Sequence, residues 1–314
     1  MTAQFHTQSA SDIRPGDWID RRVPRPAQPF LRLARADRPI GTWLLLIPCW
    51  WGLALATASV RGPNPWDSLA YAALFAVGAF VMRGAGCTWN DILDRDFDAR
   101  VARTATRPIP SGAVSVGQAF AFLALQLLIG LGILLYFNVF TVLLAISSLL
   151  LVALYPLMKR VTYWPQAFLG LTFNWGALVG WAAVTGGLEP PALLLYAAGF
   201  FWTLGYDTIY AHQDKEDDVL IGVKSSALRL GANTRPWLWA FYGIAAALLA
   251  AAFWTAALRW PSFALLALAA AQMGQQAAKV DLDDPKDCLA KFKSNRFAGF
   301  LVLAAILAGG VAFG

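Results

Sequence analysis

The sequence predicts an all-helical, polytopic membrane protein whose nine transmembrane helices surround a central cavity in two related halves. Its 314 residues are 58% hydrophobic and only 14% charged, whereas soluble proteins carry about 25% charged residues. The charges are also segregated, since residues 113–158 form an uncharged run of 46 residues. The buried core of a soluble helical protein does not account for so many long uncharged runs.

The long apolar runs define the individual spans. A bilayer core needs ~20 apolar residues at a rise of ~1.5 Å each. The run 113–158 is too long for one helix, so we expect it to turn at "YFN", residues 136–138. The predicted spans are 40–60, 67–89, 115–136, 139–157, 164–184, 191–210, 236–257, 260–278 and 296–313. Before them, residues 1–35 form a polar, loosely ordered tail, and residues 36–314 form one membrane domain.

The distribution of basic residues predicts the orientation. Of the 25 Lys and Arg residues, 22 lie in the tail or in the loops after the even-numbered spans. Such basic segments remain on the cytoplasmic side. We therefore expect a cytoplasmic N-terminus in a bacterial inner membrane, or a location in the mitochondrial inner membrane in a eukaryote. The net charge of +6 then reflects topology and contact with anionic lipid, not nucleic-acid binding.

Two acid clusters follow even-numbered spans and so face the same compartment. The first, "NDILDRDFD", covers residues 90–98, and the second, "DTIYAHQDKEDD", covers residues 207–218. At about 100° per helical residue, each cluster has most of its acids on one face. In the first cluster this face carries Asn90, Asp91, Asp94 and Asp98, with Asp96 on the other side. In the second it carries Asp207, Tyr210, Asp214, Asp217 and Asp218.

Carboxylates stacked on one helix face repel each other unless a cation lies among them. Hard oxygen donors without His or Cys suit Mg²⁺ or Mn²⁺. Two such faces opposite each other would hold a diphosphate through bridging metal ions. The alternative is an ordinary solvated loop in which Asp caps helices, and the equivalent positions of the two clusters weigh against it.

Basic residues near the clusters are candidates for binding a diphosphate. Arg83 lies two turns before the first cluster inside a span, where it is a functional candidate or the partner of a motif aspartate. The candidate donors are Arg83, Arg103, Arg107, Lys159 and Lys224. The alternative for each one is an anchor that extends its charge towards the membrane surface.

With these motifs in place, the chain resembles the UbiA superfamily of intramembrane aromatic prenyltransferases over nearly its whole length. "MRGAGCTWNDILDRDFDARVARTATRPIPSG" is similar to the first aspartate motif of that family, and "DTIYAHQDKEDDVLIGVKSSALRLG" is similar to its second. "RLARADRPIGTWLLLIPCWWGLALA" and "YPLMKRVTYWPQAFLG" also match. The second motif and "YPLMKR" are most similar to the members that prenylate 4-hydroxybenzoate in ubiquinone biosynthesis.

The resemblance implies Mg²⁺-dependent transfer of a polyprenyl group from polyprenyl diphosphate to 4-hydroxybenzoate, at the ring carbon ortho to the hydroxyl. It implies metal binding by Asn90, Asp91, Asp94, Asp98, Asp207, Asp214 and Asp218. Among these, the expected catalytic residues are Asp94, Asp98, Asp214 and Asp218. The expected acceptor-binding residues are Arg160, Arg38 and Tyr210. The isoprenoid tail would lie among the spans, open to membrane lipid.

Other functions remain open from the sequence alone. A haem-O farnesyltransferase or a menaquinone-type enzyme would keep the aspartates and differ in the acceptor pocket. A cation-coupled or proton-coupled transporter would also carry acids in its spans. Transporter acids usually lie near the bilayer midplane, whereas these clusters lie at helix ends beside basic residues, which favours the enzyme.

Overall fold

The computed structural model describes residues 11, 13, 16–59, 65–101 and 103–310. Within these ranges the chain contains helices and no strand, which confirms the all-helical class. The α-helices are α1 (Trp18–Arg22), α2 (Gln28–Leu33), α3 (Ile40–Ser59), α4 (Pro65–Asp98), α5 (Val116–Leu134), α6 (Val139–Val161), α7 (Pro165–Thr185), α8 (Pro190–His212), α9 (Lys215–Ile221), α10 (Ser226–Leu230), α11 (Thr234–Thr255), α12 (Trp260–Lys279) and α13 (Pro285–Gly310).

A long helix coincides with each predicted span, although the ends of the first and last spans, at residues 60 and 311–313, lie outside the described ranges. Seven candidate spans among the described helices are long and apolar enough to cross a membrane, and α8 and α12 are not among them. The predicted count of nine is therefore not exact by this measure. Helix α12 carries three glutamines in its second half, and α8 is rich in aromatic and small residues that other helices cover.

The chain forms two compact units. The first unit comprises residues 1–39 and 80–130, and the second comprises residues 40–79 and 131–314. The first acid cluster, at the end of α4, therefore belongs to the first unit. The second acid cluster, at the end of α8 and in α9, belongs to the second unit.

The N-terminal segment of the first unit is folded, which differs from the loosely ordered tail expected for residues 1–35. The Asp17 side chain caps α1 by accepting hydrogen bonds from two backbone N–H groups. Ile19 and Leu33 are fully buried, and Leu33 packs in one apolar cluster with Ile92 of α4. The expectation of disorder is therefore wrong for the described part of this segment. Its few apolar residues are placed so that the short helices can bury them.

Close packing between α3 and α7 organises the second unit. Added methyl groups at Gly52 of α3 and at Gly180 of α7 would overlap backbone carbonyl oxygens of the opposite helix. Small residues allow this close approach where lipid provides no hydrophobic drive for helices to associate. The fully buried side chains of Trp51, Trp181 and Trp202, from α3, α7 and α8, form part of the adjoining core.

A buried polar network joins four helices of the second unit. Asn295 of α13 accepts a hydrogen bond from the indole N–H of Trp202 at 2.9 Å. Its side-chain amide donates to the Gln276 side-chain oxygen at 2.9 Å. The Tyr242 hydroxyl donates to the same oxygen at 3.0 Å. Because these groups are buried and bonded to one another, they specify how α8, α11, α12 and α13 fit together.

Candidate functional site

The first acid cluster occupies the last turns of α4. Asp91 and Asp94 are fully buried and Asp98 is 8% exposed. The side chain of Asp96, in contrast, is 75% exposed. This distribution confirms the predicted division of the cluster into an inward face and a solvent face. The division holds because one uninterrupted helix carries the whole cluster.

Asp91 is held by two arginines of the first unit. Its two carboxylate oxygens accept from one nitrogen, Nη2 of Arg35, at 2.7 and 2.8 Å. One of those oxygens also accepts from Nη1 of Arg107 at 3.3 Å. Nη1 of Arg107 donates in addition to Asp98 at 2.9 Å. Asp91 and Asp98, two predicted metal-binding residues, are therefore linked through Arg107, a predicted diphosphate-binding residue.

Sequence reasoning missed Arg35. It lies 56 residues from Asp91 in the chain, and it has a left-handed backbone conformation with φ of 57°. Arg35 adopts this conformation just after α2 ends. The direction of its side chain therefore cannot be predicted from helical spacing. The available signal was the stretch "RLARAD", which belongs to the part of the chain that carries the family resemblance.

Arg83 and Arg38, two other predicted basic residues of the first unit, each contact a residue nearby in the sequence. Nη1 of Arg83 donates to Sγ of Cys87, one turn along α4, at 2.7 Å. Nε of Arg38 lies 3.1 Å from a carboxylate oxygen of Asp37. Arg103 is half-buried in the turn region after α4. Diphosphate binding by Arg83 and Arg103, and acceptor binding by Arg38, stay predictions.

The second acid cluster is not one continuous helix. Helix α8 ends at His212, residues 213 and 214 form a turn, and α9 begins at Lys215. The prediction of one continuous helix through Asp207, Asp214 and Asp218 is therefore wrong, and a constant 100° per residue does not relate their faces across the turn. Asp207, Asp214 and Asp218 are all half-buried. The side chain of Asp217 lies outside the described part of the structure.

The break after α8 is stabilised from the neighbouring loop. The Lys215 ammonium donates to the Leu282 carbonyl oxygen at 3.3 Å and pairs with the Asp283 carboxylate. This hydrogen-bonded ion pair lowers the pKa of the exposed Asp283 carboxyl. At the end of α8, a ring nitrogen of His212 is hydrogen-bonded to the Thr234 hydroxyl at 3.0 Å. One end of the turn is thus held by the first residue of α11, and the other end by the loop before α13.

The predicted basic residues of the second unit come together. The Lys224 backbone N–H donates to the Lys159 carbonyl oxygen at 2.8 Å, so the end of α6 lies beside the loop before α10. The Lys224 ammonium donates to the Val161 carbonyl oxygen at 3.1 Å and lies 5.5 Å from the centre of the Tyr163 ring. Arg160, next to Lys159, is exposed. The separate motifs "YPLMKR" and "IGVKSS" therefore form one basic surface.

Tyr210, a predicted acceptor-binding residue, is half-buried on α8. Its ring lies 4.5 Å from that of Phe292 on α13, measured between centroids. The buried Tyr206 ring also packs against Phe292, with 5.7 Å between the ring centroids. The C-terminal end of α8 therefore carries a packed aromatic cluster next to Asp207.

The donor chemistry of the acid clusters fits Mg²⁺. Carboxylate and amide oxygens are the ligands that this ion prefers, and it commonly uses one or two carboxylates together with water and substrate phosphates. In the described ranges, no group of three His, Cys, Asp or Glu side chains could hold a metal ion by itself. Asp94 and Asp98, both buried, offer carboxylate oxygens of the kind that Mg²⁺ binds.

Comparisons with known proteins agree with this chemistry. The model of the UbiA prenyltransferase family matches residues 45–308. The chain is 51% identical to the mitochondrial 4-hydroxybenzoate polyprenyltransferase of Arabidopsis thaliana over 95% of this chain and 72% of that protein. It is also 51% identical to the mitochondrial 4-hydroxybenzoate polyprenyltransferase of Homo sapiens, over 91% of this chain and 76% of that protein.

Solved structures share the fold. A UbiA homolog from Aeropyrum pernix K1 superposes with a TM-score of 0.68 at 28% identity, covering 85% of this chain and 96% of that one. A UbiA homolog from Archaeoglobus fulgidus bound to GPP and Mg²⁺ superposes with a TM-score of 0.63 at 18% identity, covering 89% of this chain and 98% of that one. The second likeness, at its low identity, concerns the fold alone.

Proposed function

Because the chain belongs to the UbiA prenyltransferase family, we propose that it transfers a polyprenyl group from polyprenyl diphosphate to 4-hydroxybenzoate in ubiquinone biosynthesis. This proposal rests on sequence identity. The chain is about 50% identical to 4-hydroxybenzoate polyprenyltransferases over about nine-tenths of its length, for example 51% identical over 95% of it. Relatedness at this level extends through both acid clusters and the segments between them.

We assign the metal-binding role to Asn90, Asp94 and Asp98 of the first cluster and to Asp214 and Asp218 of the second. Bound Mg²⁺ would neutralise charge on the diphosphate and make it a better leaving group. The carboxylates of Asp94 and Asp98 are buried at the end of α4, and carboxylate oxygens are hard donors of the kind that Mg²⁺ binds. This chemistry supports a metal-binding role for them.

The basic residues would bind the diphosphate oxygens. Arg107 is the best placed in the first unit, since its guanidinium already contacts Asp98 at 2.9 Å. Lys159 and Lys224 share one surface in the second unit. Arg83 and Arg103 are the remaining candidates. Cationic donors form strong hydrogen bonds with phosphate oxygens, and these bonds strengthen as negative charge develops on the leaving group.

In the reaction, the bond between the allylic carbon and the diphosphate oxygen breaks, and the bonding electrons leave with the diphosphate. The ring carbon ortho to the phenol hydroxyl forms the new bond to the allylic carbon. The proton on that ring carbon then leaves, which restores the aromatic ring. We propose that Arg160, Tyr210 and Arg38 bind and orient the acceptor, whose carboxylate suits a guanidinium. Asp207, three residues before Tyr210, supports the second cluster.

We place the reaction at an inner membrane. The described helices include seven with the length and composition of membrane spans, and the curated relatives above are mitochondrial proteins. The basic N-terminal segment and inner loops support an N-terminus and active site on the cytoplasmic side of a bacterial inner membrane, or a site in the mitochondrial inner membrane. The isoprenoid tail would extend among the spans, in contact with lipid.

The acceptor is tested with purified protein in lipid vesicles, Mg²⁺ and geranyl diphosphate. Labelled 4-hydroxybenzoate, protohaem and 1,4-dihydroxy-2-naphthoate are offered separately. We expect a prenylated product from 4-hydroxybenzoate alone. A product from protohaem or the naphthoate instead would assign the chain to another branch of the family. Cation flux across the vesicles without any product would support a transporter.

A further inference from the structure

We propose that Asp91 is a positioning residue and not a metal ligand. Together with Arg35 it fixes the Arg107 guanidinium beside Asp98, where Arg107 can bind the diphosphate. The inference rests on the proposed function, because it concerns how that site is assembled. It also makes the N-terminal segment, residues 16–39, a structural part of the site.

The Asp91 carboxylate is buried and already bonded to two arginines. It is fully buried, and both of its oxygens accept from Arg35, at 2.7 and 2.8 Å. One oxygen accepts from Arg107 as well, at 3.3 Å. A metal ion that bound Asp91 would have to displace these donors and then lie beside two guanidinium cations. The repulsion in a buried environment makes Asp91 an unfavourable metal ligand.

The Arg107 guanidinium is held by two carboxylates. Nη1 contacts Asp91 and Asp98 at the same time, at 3.3 and 2.9 Å. An arginine side chain has several rotatable bonds, and two anionic contacts on one nitrogen restrict them. The Asp91 contact therefore keeps the guanidinium next to a predicted metal ligand before the diphosphate arrives. Positioning of this kind lowers the entropic cost of binding.

Arg35 is itself held in place by the N-terminal segment. Its Nη1 donates to the Arg32 carbonyl oxygen at 3.0 Å. Arg32 in turn pairs with Asp17 and Asp20, at 3.3 and 2.6 Å. Leu33, between the two arginines, is fully buried. Ion pairs and the one hydrogen bond from Arg35 to the Arg32 carbonyl oxygen thus connect α1 to Asp91, and Arg107 continues the connection to Asp98.

The test measures binding, by calorimetry, of geranyl S-thiolodiphosphate, a prenyl diphosphate analogue that resists cleavage. The purified protein is titrated in detergent at several Mg²⁺ concentrations. The variants are Asp91→Asn, Arg107→Lys and the double variant. Asp94→Asn serves as the metal-ligand reference. Asp96→Asn is the matched control, since it makes the same change on the exposed face of the same helix.

We expect Asp91→Asn to weaken analogue binding about tenfold, which is the loss of roughly one charge-assisted hydrogen bond. The Mg²⁺ concentration for half-maximal binding should stay at the wild-type value, whereas Asp94→Asn should raise it. If Asp91 acts through Arg107, the double variant should bind no more weakly than Arg107→Lys alone. Asp96→Asn should bind like the wild type.

A second pair of variants covers the case that Asp91→Asn does not fold. Arg35→Lys keeps a cation for Asp91, and Arg35→Met removes it at similar length. We expect Arg35→Met to weaken analogue binding and Arg35→Lys to restore most of the affinity. Hydrogen exchange of the amides at residues 28–38 should accelerate in Arg35→Met alone.

The inference is overturned if Asp91→Asn raises the Mg²⁺ requirement as Asp94→Asn does, or if both Arg35 variants bind like the wild type. Additive losses in the Asp91→Asn, Arg107→Lys double variant also overturn it. These outcomes require a wild type that binds the analogue. A folded wild type that does not bind it contradicts the proposed function first, and the inference with it.

Discussion

The replacement Gly180→Ala should weaken the contact between α3 and α7. The new methyl group would overlap the Cys49 carbonyl oxygen and lie 2.8 Å from the Leu53 backbone nitrogen. Both atoms belong to helix backbone, so no side chain can rotate away to make room. The two helices must therefore move apart, and the adjoining buried side chains of Trp51 and Trp181 must repack.

The expected magnitude follows from two opposing effects. Overpacking of a closely packed interface costs up to about 3 kcal/mol. Alanine has a higher helix propensity than glycine, which offsets up to about 1 kcal/mol of this cost. The net loss in the free energy of unfolding should therefore be about 2 kcal/mol. Gly243→Ala in α11 is the matched control, because a methyl group there meets no atom within 4 Å.

The assay is unfolding of the purified protein in mild detergent by increasing amounts of a denaturing detergent, followed by tryptophan fluorescence. Gly180→Ala should unfold at a lower fraction of denaturant than the wild type, and Gly243→Ala at an equal or higher fraction. The two variants should differ by about 3 kcal/mol. A Gly180→Ala protein as stable as Gly243→Ala would refute the close backbone contact.

Three further predictions concern the site, the polar network and the loop after α12. Asp94→Ala and Asp214→Ala should each abolish prenyl transfer in folded protein, and near-normal turnover in either would contradict the two-cluster metal site. Asn295→Leu should lower the free energy of unfolding by about 1–2 kcal/mol because the indole N–H of Trp202 loses its partner; an unchanged unfolding curve would argue against the network. The lowered pKa of Asp283 means that its ion pair stabilises the fold above the ordinary value of 3.8 and loses this effect as the pH falls. The stability difference between wild type and Asp283→Asn should therefore disappear on acidification, and a difference that persists at low pH would show another cause.

Sequence patterns predicted the local features of the first cluster well. Asp96 is exposed and Asp91, Asp94 and Asp98 are buried, because one helix runs through all four positions and its periodicity is fixed. The second cluster shows where this reasoning stops. The turn after His212 depends on contacts made by Lys215 with a loop nearly seventy residues away in the sequence, and helical spacing contains no information about such a contact.

Long-range pairing also explains what was missed in the first unit. Arg35 reaches Asp91 across 56 residues, and its left-handed backbone follows from how α2 ends. The polar composition of residues 1–35 suggested a loosely ordered tail. In its described part, however, Ile19 and Leu33 are buried and Arg32 pairs with Asp17, so this part is folded. Composition averages over such individual contacts and therefore cannot predict them.

The most direct test of the account is the fate of ring deuterium in the product. Purified protein in lipid vesicles receives Mg²⁺, geranyl diphosphate and 4-hydroxybenzoate deuterated at both positions ortho to the hydroxyl. The account predicts a geranylated product that has lost one of the two deuterium atoms, since the new carbon–carbon bond replaces one of them. A product that retains both, as in prenylation of the hydroxyl or the carboxylate, would contradict it, as would no product from folded protein.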